Sequence, residues 1–138
     1  MTKRLNSAQR ITRCRTHPAA RRPQLADQAL LLSCGLLRAN GMAVIEADWR
    51  SRDHRIGVVA RDGGALCFIA VIAHGAIGSK PTERLVDHSA RLRLRAAAGE
   101  WLRNEPAVTT AGSLRFDLIC AVIRHPGAFE LRHHKGVA

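Results

Sequence analysis

Tyrosine is absent from this 138-residue sequence, and aromatic residues of all kinds make up only 4% of it. Proteins that hold single strands by stacking bases on rings usually offer more surface of that kind, so such binding has little to support it. Long apolar runs are missing too. The longest, Ala65–Ala73 and Ala29–Leu37 (with Ser33 inside it), fall far short of the roughly 20 residues a membrane-spanning helix needs. The four cysteines, Cys14, Cys34, Cys67 and Cys120, make no C-x-x-C pair and no zinc-like spacing. The last three lie inside apolar runs, where a free thiol behaves as a small hydrophobe. A reducing cytoplasm suits that usage, and the N-terminus lacks the apolar stretch of a secretory signal. Acids are few: 11 Asp and Glu stand against 22 Lys and Arg, a formal charge of +11.

What is present suffices for one folded domain. Hydrophobic residues make up 46% and charged residues 24%, which excludes a chain disordered throughout, and the length supports a single core. The charge is uneven. Residues 1–23 hold Lys3, Arg4, Arg10, Arg13, Arg15, Arg21 and Arg22 and no acid. With Pro18, Pro23 and little apolar content, this stretch reads as a disordered basic extension ahead of a domain over residues 24–138. Three roles are open to it: a solvated extension (or a start codon placed too early), an arm for nucleic acid or another polyanion, or an Arg-rich transit peptide.

Within the domain, Leu25–Asn40 reads as a helix, with Asp27 in its first turn and Asn40-Gly41 as its stop. Met42–Trp49, Ile56–Ala60 and Leu66–Ala73 read as strands, the last two joined by a hairpin at Arg61-Asp62-Gly63-Gly64. After a loop over Gly75–Pro81, a second helix is expected from Thr82 to Asn104. Leu85, Leu92, Ala96 and Gly99 form its apolar stripe, and Arg84, Arg91 and Arg95 lie together on a flank. Leu114–Ile123 and Phe129–His133 complete the order α-β-β-β-α-β-β, a single mixed α/β domain. Seven histidines invite a metal reading. His133 and His134 point to opposite faces of a strand, and His54, His88 and His125 have no partner at ligand spacing. Gly63-Gly64 is a turn rather than a phosphate loop, because no Lys-Ser/Thr follows it.

These blocks, taken in order, resemble the YraN family, a small bacterial family of uncharacterised function with a restriction-endonuclease-like fold. The resemblance is carried by Asn40-Gly41 with Asp48-Trp49-Arg50, by Ile56–Ala60 and Cys67–His74, and by Leu92–Leu102 with Gly99 and Trp101. Arg115-Phe116-Asp117-Leu118-Ile119 and Glu130-Leu131 with His133 and Gly136 complete it. Coverage is about residues 25–138. The resemblance implies a mixed sheet flanked by two helices, and a metal-dependent site built from a Gly-Glu pair, a Gly-Glu-hydrophobic-Asp motif, a Glu-x-Lys and a helical Lys. It also implies a structural Arg-x-Asp, here Arg115 and Asp117, which share a strand face and are expected to pair.

The departures fall on the implied site. Its positions read Ala29-Leu30, then His54-Arg55-Ile56-Gly57, then Ala70-Val71-Ile72, with Ala90 at the helical Lys. Phosphodiester hydrolysis of the implied kind uses Mg²⁺ held by carboxylate oxygens to activate water, with a lysine steadying the transition-state charge. Leu30, Arg55, Gly57, Ala70 and Ile72 supply none of this, so the metal site is expected to be lost and no cofactor is expected. The strand face is expected to present Phe68, Ala70, Ile72 and His74, with Gly57 opposite. Asp53 and Asp62, the nearest acids in sequence, fall in expected turns, where an exposed aspartate is the default. Flanked along the chain by Val58, Val59, Phe68, Ile69 and Val71, a carboxylate restored at Ala70 is expected to be uncompensated. The reading is a cytoplasmic pseudoenzyme of nuclease-like fold that binds DNA or RNA without sequence choice, through phosphate contacts from Arg50, Arg52, Arg84, Arg91 and Arg95. The alternatives are a protein-interaction module using the apolar former site and a metal-dependent nuclease with relocated ligands.

Overall fold

Helix α1, Leu25–Ala39, carries Asp27 in its first turn and Arg38 in its last, both favourable to the helix dipole. It stops at Gly41, whose φ of 84° suits glycine. There Gly41 N–H donates to Arg38 C=O at 3.0 Å and Met42 N–H to Leu37 C=O at 3.0 Å, the Schellman pattern that satisfies carbonyls at a helix end. In the computed structural model, the described residues are 25–74, 88–105, 112–125 and 128–137. The expected extension over 1–23, the loop over 75–81, residues 82–87 of the second helix and Arg84 lie outside them.

Strands β1 (Ala43–Arg50), β2 (Arg55–Asp62), β3 (Ala65–His74), β4 (Ser113–His125) and β5 (Ala128–His134) form one sheet in sequence order. All neighbours are antiparallel except β3 and β4, which run parallel, and helix α2 (His88–Asn104) lies between these two in sequence. The β2–β3 hairpin turns on Gly63-Gly64, with Gly63 at φ 59°. Because that loop has only two residues, the ladder runs on to Asp62 opposite Ala65. Asp62 is therefore a half-buried strand residue bonded to Arg115 at 3.0 Å, not the exposed turn aspartate that its sequence suggests.

The two helices cover opposite faces of the sheet. Cys34 and Leu37 of α1 pack with Val58, Ala60, Cys67, Ile69 and Ile119. Leu94, Ala97, Ala98 and Trp101 of α2 pack with Ile56, Val59, Leu66 and Phe68. The expected stripe on α2 is thus out of phase: Leu92 is 52% exposed and Ala96 is exposed, while Leu85 lies outside the described residues. Trp101 sets the phase. Its ring meets Phe68 edge-on at 5.7 Å and its Nε1–H donates to buried Glu46 at 3.1 Å. Burying a ring of this size also contributes more than any residue of the expected stripe.

On the other side of the sheet's centre, buried Asp117 of β4 gathers the C-terminal end. Arg115 donates to it through Nε at 2.9 Å and Nη2 at 3.0 Å. His133 Nε2 of β5 lies 2.8 Å away, and Gly136 N–H donates at 3.0 Å. The expected pairing of Arg115 with Asp117 is present, extended through Asp62 to Lys135 at 3.6 Å. Burial alone raises the Asp117 carboxyl. The hydrogen bonds from His133, Arg115 and Gly136 outweigh it and hold the pKa down at about 2.

Candidate functional site

The β2–β3 ladder reaches Val58 opposite Ile69. Beyond that pair, β2 continues beside β1 to Arg55 and β3 continues beside β4 to His74. A cleft opens at this fork. Leu30 of α1, Arg55 and Gly57 of β2 and Ala70 of β3 line a hollow of about 330 Å³. Ala70 and Ile72 line an adjoining one of about 570 Å³, together with Arg50, Arg52, Arg55 and Arg93. The five positions that the resemblance assigns to metal chemistry therefore do converge, four of them apolar and the fifth Arg55. The side chain of His74 lies outside what is described.

Magnesium needs several oxygen ligands. Leucine, glycine, alanine and isoleucine offer none, and the guanidinium of Arg55 repels a cation, so these residues do not fit the metal. Two acids do line the smaller hollow, Asp27 and Asp48. Asp48 adopts a left-handed φ of 55°, and its carboxylate accepts a hydrogen bond from Arg50 Nε at 3.0 Å. Among the described residues, no three His, Cys, Asp or Glu side chains group as a metal site.

The arginines divide by position. Arg50 and Arg52 stand at the cleft, where Arg55 and Arg93 join them. Exposed Arg91 and Arg95 lie elsewhere on α2, and Arg95 stacks over the Phe116 ring at 5.0 Å. The turn between β1 and β2, which holds Arg52 and Asp53 and is flanked by Arg50 and Arg55, is fastened locally. Ser51 N–H donates to His54 C=O at 2.8 Å, and Ser51 Oγ accepts the His54 N–H at 3.1 Å. The same hydroxyl donates to Glu100 of α2 at 2.8 Å, and His54 Nδ1 lies 2.6 Å from that carboxylate. Hydrogen bonds from His54 first, then from Ser51, hold the Glu100 carboxyl below its ordinary range.

Sequence reading missed Arg93, His54 and Glu100 as members of one site. The dense run Arg50-Ser51-Arg52-Asp53-His54-Arg55 was a usable signal for the turn. No local spacing could have joined it to Glu100, which lies 46 residues from His54.

A family profile described as "Uncharacterised protein family UPF0102" matches residues 31–121. A UPF0102 protein of Streptomyces griseus is 36% identical over 78% of this chain and 89% of its own length. One from Beutenbergia cavernae is 32% identical over 73% of this chain and 84% of its own. One from Kineococcus radiotolerans is 32% identical over 71% and 80%.

Proposed function

This chain belongs to the UPF0102 family, the YraN family of the sequence resemblance, and from that membership we propose that it is a nucleic-acid-binding protein of nuclease-like fold that has given up metal-dependent hydrolysis. The observation that carries the reading is that four arginines, Arg50, Arg52, Arg55 and Arg93, line one hollow. Among them, Arg55 occupies a position where the resemblance implies a carboxylate. Guanidinium groups grip phosphate oxygens bidentately, so a cleft that no longer holds a metal still attracts a phosphodiester backbone. Phosphate contacts of this kind give affinity without sequence choice. The protein-interaction reading has less behind it, because Ala70 and Ile72, its apolar surface, sit among these arginines. A cytoplasmic setting is part of the proposal, in keeping with the buried thiols of Cys34 and Cys67. No described helix is long and apolar enough to cross a membrane.

The test is fluorescence anisotropy with duplex DNA across a salt series in EDTA. The full chain should bind, with log affinity falling by about 0.9 per phosphate contact for each decade of salt. Arg55→Glu and Arg93→Glu should each weaken binding about tenfold at low salt and flatten that slope by about one contact. Affinity that is flat with salt, or indifferent to both reversals, overturns the proposal.

A further inference from the structure

We propose that His54, held by Glu100, lets the arginine cleft cleave RNA without a metal, by transfer of the backbone phosphate to the RNA's own 2′-hydroxyl. This rests on the nucleic-acid reading above and adds to it a substrate class and a reaction.

The geometry comes from the β1–β2 turn and α2. His54 lines the larger hollow beside Arg50, Arg52, Arg55 and Arg93, and its Nδ1 is engaged by Glu100 at 2.6 Å. An ionised carboxylate can only accept, so Nδ1 carries the hydrogen in this pair. In the uncharged ring the lone pair then belongs to Nε2, the nitrogen left for a ligand. A histidine that lines a cleft and is oriented through one nitrogen by a carboxylate, with the other nitrogen left to take a proton, has the arrangement a general base requires. Ser51 Oγ donates to the same Glu100 oxygen, Oε1, at 2.8 Å, which limits the freedom of the pair. Glu100 is a positioning residue here, since it acts through His54.

Chemistry then selects the substrate. Water is a poor nucleophile toward a phosphodiester unless a metal activates it, and among the described residues no three His, Cys, Asp or Glu side chains group to hold one. DNA offers no other nucleophile near the phosphorus. RNA carries one on each ribose, already within reach and in the same molecule. The 2′-oxygen forms a bond to phosphorus while its proton passes to His54 Nε2. The bond from phosphorus to the 5′-oxygen breaks, and its electron pair leaves with that oxygen, which takes a proton from water. The hydroxide so formed is neutralised by the proton that His54 returns. The products are a 2′,3′-cyclic phosphate and a free 5′-hydroxyl, and the arginines steady the charge on the phosphoryl oxygens as it builds.

The experiment incubates the full chain in EDTA with a short 5′-labelled RNA, with the same strand as DNA, and with its 2′-O-methyl form. Only the RNA should be cut, to fragments ending in 2′,3′-cyclic phosphate. His54→Gln should slow the cut roughly 10²- to 10⁴-fold, and Glu100→Gln should lower kcat while leaving KM little changed. Anisotropy with the 2′-O-methyl strand reads binding in parallel and does not depend on any variant folding. Binding without cleavage of RNA by the parent chain overturns this inference and leaves the nucleic-acid reading standing. Absence of binding to this strand overturns the inference, and absence of binding to duplex DNA as well overturns both. Cleavage that persists in His54→Gln, or that appears only with added Mg²⁺, also overturns it.

Discussion

Asp117→Ala should remove about 3–5 kcal/mol of folding stability, a large share of the roughly 5–15 kcal/mol that holds a domain of this kind together. The side chain is wholly buried and accepts four hydrogen bonds at 2.8–3.0 Å from Arg115, His133 and Gly136. Its loss takes the shared acceptor from β4, β5 and the backbone beyond β5 together. Arg115 keeps Asp62 as a partner, but His133, only 10% exposed at its side chain, loses the carboxylate it faces. Urea denaturation reads the effect directly. A loss below about 1 kcal/mol would place the cluster with surface ion pairs, which contribute little.

The same carboxyl shapes the response to acid. Burial raises its pKa, and the bonds from His133, Arg115 and Gly136 more than reverse this, from 3.8 to about 2. A folded-state value below the unfolded one means that the stabilisation is complete above the unfolded value. It is then lost as pH falls from about 4 toward 2, and amounts to about 2 kcal/mol. Thermal melts of the parent should therefore drop through this window. Asp117→Asn should melt lower at neutral pH and fall less steeply there. Part of the slope should survive, because Asp62, Glu100 and Glu130 are also held below their ordinary ranges by basic or hydrogen-bonding partners. An unchanged acid limb in Asp117→Asn would sink this assignment.

The order of elements was legible because apolar runs, an Asp-Gly hairpin and an Asn-Gly helix stop are local signals. Arg115 and Asp117 were legible as a pair because two residues apart on a strand means one face. The phase of α2 was not. Several small and long apolar residues allowed more than one stripe, and the choice fell to the contact of Trp101 with Phe68 and Glu46 across the sheet. Asp62 was misplaced because a turn residue and the last ladder residue look alike along the chain. The candidate site was legible only as the positions Leu30, Arg55, Gly57, Ala70 and Ile72, which the resemblance singles out. That Arg93 and Glu100 of α2 stand over the same turn depends on tertiary packing. Sequence neighbours misled here as well: Ala70 is flanked by apolar residues along the chain, yet Arg50 and Arg55 line both hollows with it.

Those neighbouring arginines redistribute the cost of building a metal site into the cleft. In the triple change Gly57→Asp, Ala70→Glu, Ile72→Lys, the charge at position 70 meets nearby guanidinium groups. Ala70→Glu alone should shift stability by no more than about 1 kcal/mol, as for a partly exposed ion pair. Gly57 carries the burden instead. A Cβ there would lie 2.9 Å from Val71 Cγ2, 3.0 Å from the Ile69 carbonyl oxygen and 3.2 Å from Val71 N. Two of these atoms are backbone, and β3 is pinned on its far side by the parallel ladder to β4. Neither strand yields easily, so overpacking of this kind costs about 1–3 kcal/mol for the Cβ alone. The carboxylate of Asp adds to that. The triple variant should thus melt well below the parent, with most of the loss reproduced by Gly57→Ala, which carries the Cβ and no charge. Mg²⁺ should recover little of it, because a metal relieves charge repulsion and not a collision with the chain. A Gly57→Ala protein as stable as its parent would show that β2 and β3 can part at the fork. Complete recovery of the triple variant in Mg²⁺ would show that charge, rather than space, sets the cost of these substitutions.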